Sequence, residues 1–144
     1  AMIGPCRNVL QKVKRIAATK TVNGRPMLEV PVWRAKIARL EMRFRAHLMV
    51  SYRALADQQK GKMPGPESSI LKVVGTKLIQ ELTELAMEVM GESSLTWHND
   101  GVCPPIEESI GPYFCYERAA TIYGGSNEMQ RTVIAKMILQ LPSS

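Results

Sequence analysis

The stretch with the densest chemical content runs Arg118-Ala119-Ala120-Thr121-Ile122-Tyr123-Gly124-Gly125-Ser126-Asn127-Glu128-Met129-Gln130-Arg131 and continues through Lys136. Two adjacent glycines let a backbone turn sharply and let a ligand come close to it. Ser126 stands where it can cap the following helix, whose first N–H groups would face an anion. The same residues would equally make a plain joint between two helices, and residue types alone leave both readings open. Chemistry-bearing side chains are sparse elsewhere. Cys6, Cys103 and Cys115 include no CxxC pair, so neither a zinc ribbon nor a disulfide framework is indicated, and reduced, structural thiols are expected. His47 and His98 lack a second ligand at metal spacing, and no metal site is expected.

Helices must position that turn, because a helical period of apolar residues runs through nearly the whole chain. Val9, Val13, Ile16 and Ala17 share one face of a first segment, with Gly4-Pro5 marking a start or a kink. Asn23-Gly24-Arg25-Pro26 is a turn. Pro31 opens a long helix with Trp33, Ile37, Leu40, Phe44, Leu48 and Leu55 on one stripe, ended by Lys60-Gly61-Lys62-Met63-Pro64-Gly65. Pro66 and Glu67 open the next, whose Ile70, Val73, Val74, Leu78, Leu82, Leu85 and Val89 form a continuous apolar face ending at Gly91. Residues 92–111 are a polar loop. A fourth helix runs from Pro112 to about Tyr123, and a last one carries Met129, Val133, Ile134, Met137 and Ile138 to Pro142. No segment shows the alternation of a strand. The expected fold is all-α, an up-and-down four-helix bundle with an additional short C-terminal helix, formed by residues 1–144 as one domain.

Composition narrows the function classes. The chain has 144 residues, 45% hydrophobic and 22% charged, as in a globular protein that buries roughly 70% of its unfolded surface. No apolar run approaches the roughly 20 residues of a membrane helix, basic residues interrupt any leader-like core near the start, and a cytosolic location is expected. The net charge of +6 is uneven. Residues 1–60 carry thirteen Lys/Arg against Glu29, Glu41 and Asp57, whereas the remainder carries six bases against ten acids. A basic half suits nucleic acid, a phosphorylated cofactor or simply a solvated face. The arginines of the long helix lack the aromatic interleaving of nucleic-acid readers, so nucleic acid is the least favoured.

The stretch from Tyr123 to Arg131 resembles the C-terminal signature of acyl-CoA dehydrogenases: a tyrosine, Glu or Gly, Gly, Thr or Ser, then Asn-Glu-Ile-Gln-Arg before the final helix. The resemblance is dense over residues 113–142. It extends more loosely over 5–91 through the Asn-Gly-Arg-Pro turn, the arginine-rich helix and the Gly65-Pro66-Glu67-Ser68-Ser69-Ile70-Leu71-Lys72 helix start. It implies the C-terminal helical domain of an enzyme with a further helical and a β domain. It also implies FAD as cofactor, an acyl-CoA substrate desaturated to a trans-2-enoyl-CoA, an electron-transfer flavoprotein or similar acceptor, and a homo- or hetero-oligomeric dimer or tetramer. By the same resemblance Ser126, Asn127 and Glu128 fall on the cofactor side, and Tyr123, Gly124 and Lys136 on the substrate side. Lys136 is also the type of solvated cation common in a last helical turn.

This sequence departs from the family pattern in three places. The position after the motif tyrosine, often the carboxylate base, is Gly124, which cannot take a proton. The other family location for a base aligns just upstream of Ala1, and residues 1–28 hold no Asp or Glu. The expectation is therefore a fragment that is inactive alone, its base on a preceding segment; the alternative is a non-catalytic subunit of a heteromeric assembly. The family's Arg-x-x-Phe-Gly segment, which grips the adenine side of FAD, aligns with Lys20-Thr21-Val22-Asn23-Gly24. A second glycine motif aligns with Glu88-Val89-Met90-Gly91-Glu92, each keeping one glycine.

Overall fold

Three long helices carry the computed structural model, which describes residues 2–97, 101, 105 and 109–142. They are α1 (Ile3–Thr19), α2 (Pro31–Gln59) and α3 (Glu67–Met90). The shorter α4 (Ile110–Glu117) and α5 (Asn127–Val133) complete an all-α fold in which α3 is central, packing against the other four. His98 and Cys103 lie outside the described residues.

Apolar spacing explains the core. On α1, Cys6, Val9, Leu10, Val13, Ile16 and Ala17 are all buried, and Pro5 sits in the first turn, where its missing N–H costs no hydrogen bond. Against them lie Ile37, Leu40 and Phe44 of α2 and Leu78, Ile79, Leu82, Leu85 and Val89 of α3. Full burial of each large aliphatic side chain contributes roughly 1.5–3 kcal/mol.

The structure corrects the pattern at the far end of the α2–α3 hairpin. Leu55, Ile70 and Val74, expected on buried faces, are exposed, and Val73 is only partly covered. Val50, Ala54, Ile70 and Leu71 line an open groove there. Periodicity identifies an apolar face but not whether another element exists to cover it.

Two further corrections are local. Thr21–Val22 and Arg25–Pro26 form a minimal antiparallel hairpin, β1 and β2, with Thr21 opposite Pro26. Asn23 (φ 51°) and Gly24 (φ 78°) both adopt the left-handed conformation that a tight two-residue connection demands. Two-residue strands are too short to show alternation, so the sequence displays only the turn. The helices flanking Gly124-Gly125 are also less regular than expected. α4 begins at Ile110 and tightens into a 3-10 segment at Arg118–Thr121, while α5 widens into a π turn over Ile134–Ile138.

The uneven charge is partly resolved by packing. Lys36 pairs with Glu88 at 2.5 Å and Arg43 with Glu81, so bases of α2 meet acids of α3, while Lys14 of α1 pairs with Glu41 of α2 at 2.6 Å. Glu41, held first by Lys14 and then by Arg45, has its carboxyl pulled below the ordinary range. Among the described residues no helix is long and apolar enough to cross a membrane.

Candidate functional site

The Gly124-Gly125 turn emerges between the 3-10 segment and α5 and rests on α3. Gly124 (φ 65°) and Gly125 (φ 89°) both need the left-handed region that side chains disfavour. A Cβ on Gly124 would meet nothing nearer than Lys72 Nζ at 3.9 Å, so this glycine faces open space. Ile122, Tyr123, Gly124 and Gly125 are all exposed. The result is a bare stretch of backbone on the surface of the bundle.

The residues assigned from the sequence separate in this structure. Ser126 caps α5, its hydroxyl accepting the Met129 N–H at 3.4 Å. Glu128 is exposed beside that cap, 3.5 Å from Arg131, and its own backbone N–H, then the Ser126 hydroxyl, lower its pKa. Asn127 points the other way, buried against α3, where Nδ2 donates to Thr76 Oγ1 at 3.1 Å. Tyr123, although exposed, keeps its phenol protonated to higher pH than usual, through the partial cover of its ring and then the nearby Glu117 carboxylate. Lys136 is exposed on the π turn, and no described contact joins it to the glycines.

What fixes the turn is a polar stripe on α3 at four-residue spacing. Lys72 Nζ donates to Ala120 O (2.9 Å) and Tyr123 O (2.6 Å), and lies 4.8 Å from the Tyr123 ring centroid. One turn on, Thr76 holds Asn127. Another turn on, Gln80 Nε2 reaches Glu117 O at 3.0 Å and Arg118 O at 3.2 Å. Glu84 then receives Arg118 at 2.7 Å. Arg118 also donates to Gln80 O and Thr83 Oγ1 and stacks on Phe114, spending its planar fork on one interface. The last carbonyls of a helical segment have no internal partners, and here α3 supplies donors for them. The helical period that marks the apolar face of α3 assigns this stripe no role of its own. Its signal was present: Lys72, Thr76, Gln80 and Glu84 recur every four residues on an otherwise apolar helix.

Further chemistry lies beneath. Glu117 is buried, with one carboxylate oxygen unpartnered among the described residues. Burial, followed by Glu117, raises the Tyr113 phenol. Cys6, buried as expected, has its thiol pushed up to about 12, chiefly by burial. Cys115 departs from the expectation of a structural thiol: it is exposed. A cavity of about 1020 Å³ opens between α1 and α4, lined by Val9, Ile110, Tyr113 and Tyr116. None of the assigned site residues lines it, so the motif and not the larger hollow marks the candidate site. The two divergent glycine segments also meet: Lys20 donates to Met90 O at 2.6 Å, tying the hairpin to the end of α3.

Comparison with known proteins fits this geometry. Residues 1–139 match the acyl-CoA dehydrogenase C-terminal domain. The chain is 32% identical over 136 residues to acyl-CoA dehydrogenase IpdE1 of Mycobacterium tuberculosis, covering 94% of this chain and 31% of that protein. It is 37% identical over 81 residues to IpdE1 of Mycolicibacterium smegmatis, covering 56% of this chain and 19% of that one. Its fold superimposes on a chain of the ChsE4–ChsE5 complex from Mycobacterium tuberculosis with a TM-score of 0.84 at 26% identity, over 99% of this chain and 37% of the other. The chain thus spans about a third or less of the relatives it matches. A helical bundle centred on α3, a Tyr-Gly-Gly-Ser turn held by that helix, and a family match over nearly every residue together establish that the chain belongs to the acyl-CoA dehydrogenase family.

Proposed function

We propose that this bundle is the C-terminal domain of an FAD-dependent enzyme that desaturates acyl-CoA thioesters between Cα and Cβ to trans-2-enoyl-CoA. The observation that carries the reading is the Gly124-Gly125 turn, exposed and without side chains, fixed from behind by α3. Such a surface fits the edge of a flat cofactor, because the Cβ direction of Gly124 is open and the Ser126 hydroxyl stands at its border. Ser126 and Glu128 would hold the cofactor side, and Tyr123 and Gly124 would border the thioester, with Lys136 toward the substrate. FAD supplies the two-electron acceptor for hydride removal from Cβ. The residues of this chain orient and exclude water, and none at position 124 can take the α-proton. The base is therefore assigned to a residue outside this chain, and an electron-transfer flavoprotein or similar acceptor reoxidises the enzyme.

A second reading has a specific basis. Gly124 in the base position, together with the similarity to a chain of a two-protein complex, favours a non-catalytic subunit in a heteromeric assembly. One experiment separates the two. The full-length polypeptide containing this bundle is purified, its visible spectrum recorded, and its reduction of an artificial electron acceptor by acyl-CoA measured. Bound flavin with turnover supports the enzyme, and flavin or turnover appearing only with a co-purified second subunit supports the alternative. Neither flavin nor turnover in any combination overturns the assignment. The isolated 144-residue chain is expected to be colourless and inactive.

A further inference from the structure

We propose that Lys72 is the positioning residue of this site: a cationic strut from α3 that sets the conformation of the Tyr123-Gly124-Gly125-Ser126 turn. The inference rests on the function proposed above for its catalytic consequence, and on geometry alone for its structural part. Two consecutive glycines have more backbone freedom to lose than any other pair, so a turn built on them keeps one shape only if its flanks are held. Both flanks are held from one face of α3. Lys72 takes Tyr123 O, the carbonyl of the peptide bond leading into Gly124, at 2.6 Å, and Thr76, one helical turn on, takes the Asn127 side chain. Only Gly124, Gly125 and Ser126 lie between these two anchors.

The two anchors differ in kind. Thr76–Asn127 is a buried neutral pair that docks α5 onto the bundle. Lys72 instead makes charge-assisted bonds to two carbonyls, Ala120 O and Tyr123 O, and places its ammonium against the face of the Tyr123 ring. Such bonds are about twice as strong as neutral ones. Fixing Tyr123 O fixes the plane of the peptide that follows it, and with that plane the direction of the Gly124 N–H. Lys72 thereby determines where the bare backbone stands relative to anything bound against it, without touching that ligand. A misplacement of about 1 Å at a reacting centre costs on the order of 10²-fold in rate.

The test uses the flavin-loaded enzyme containing this bundle, with Lys72→Met (similar length, no charge, no donor) and Lys72→Arg. Amide hydrogen exchange is followed in peptides covering residues 119–127 and, as an internal control, 78–90, alongside kcat and KM for an acyl-CoA. In Lys72→Met, exchange at Ile122 and Tyr123, whose N–H groups both bond Ala119 O, should rise about tenfold while 78–90 is unchanged. The kcat should fall by about ten- to a hundredfold with a smaller change in KM. Lys72→Arg, which retains charge and donors, should recover part of both. If Lys72→Met does not fold, Lys72→Gln carries the same comparison with one neutral donor left. Unchanged exchange at Ile122 and Tyr123 overturns the proposal. So does parallel acceleration at 78–90, which would make Lys72 a general stabiliser of the bundle. If the parent turns over no acyl-CoA, the function proposed above fails instead, and the exchange comparison still decides the role of Lys72.

Discussion

Asn127 Nδ2 donates to Thr76 Oγ1 at 3.1 Å inside the bundle, and the single hydroxyl proton of Thr76 is shared between Asn127 Oδ1 (3.2 Å) and the Lys72 carbonyl (2.9 Å). Replacing both partners of a buried hydrogen bond by apolar groups is nearly neutral, whereas removing one leaves the other with its full desolvation cost. The expected penalty for Thr76→Val, which strands the amide, is therefore about 1–3 kcal/mol, larger than for the double variant Thr76→Val/Asn127→Leu. Urea unfolding of the three proteins measures it. Equal losses in the single and double variants would show that the pair contributes nothing as a pair.

The glycines should separate fold from site. Alanine at Gly124 or Gly125 must adopt a left-handed φ, costing about 1–2 kcal/mol in each case. At Gly125 a Cβ also falls 2.7 Å from Gln130 Nε2, the end of a flexible side chain that can swing away. Gly124→Val is different, because its branched side chain projects into the open face of the turn. In the flavin-loaded enzyme, turnover should drop far more for Gly124→Val than for Gly125→Ala, out of proportion to their unfolding midpoints. Unchanged turnover in Gly124→Val would make the turn a structural joint.

His47 should make stability fall on acidification. It is buried on α2 with Nε2 unpartnered among the described residues, and burial holds its pKa below the ordinary value. The unfolded chain takes up the proton as pH drops through about 6.5, while the folded chain resists it. The stability is thus fully present above about pH 6.5 and is lost progressively below it, toward the depressed folded value. Thermal midpoints at about pH 7.5 and about pH 5.5 should differ more for the parent than for His47→Leu. Equal differences would exclude His47 as the source.

Exposed apolar side chains on α2 and, separately, near the C-terminus should drive assembly. Met42, Met49, Val50 and Tyr52 are exposed on α2, and Met129 and Met137 near the C-terminus. Methionines make adaptable contact surfaces, and exposed patches of this kind mark interfaces. Sedimentation velocity at micromolar concentration should show a dimer or larger species. A compact monomer across the accessible range would refute the expectation.

The sequence by itself determined the three long helices, the inward faces of α1 and the middle of α3, and the Tyr123–Arg131 signature. Each of these depends on local period or on residue order within a short window. Val9, Val13, Ile16, Leu78, Leu82 and Val89 are buried where their spacing placed them. What only the tertiary structure decided are relations between residues far apart along the chain. The Lys72–Tyr123 contact spans 51 positions and the Lys20–Met90 contact spans 70, and no periodicity encodes either. The exposure of Leu55, Ile70 and Val74 belongs to the same class, because burial depends on whether another element arrives to cover a face. Asn127 shows the division within one residue. Its place in the motif was legible, but the direction of its side chain, inward to Thr76, followed only when α5 was docked on α3.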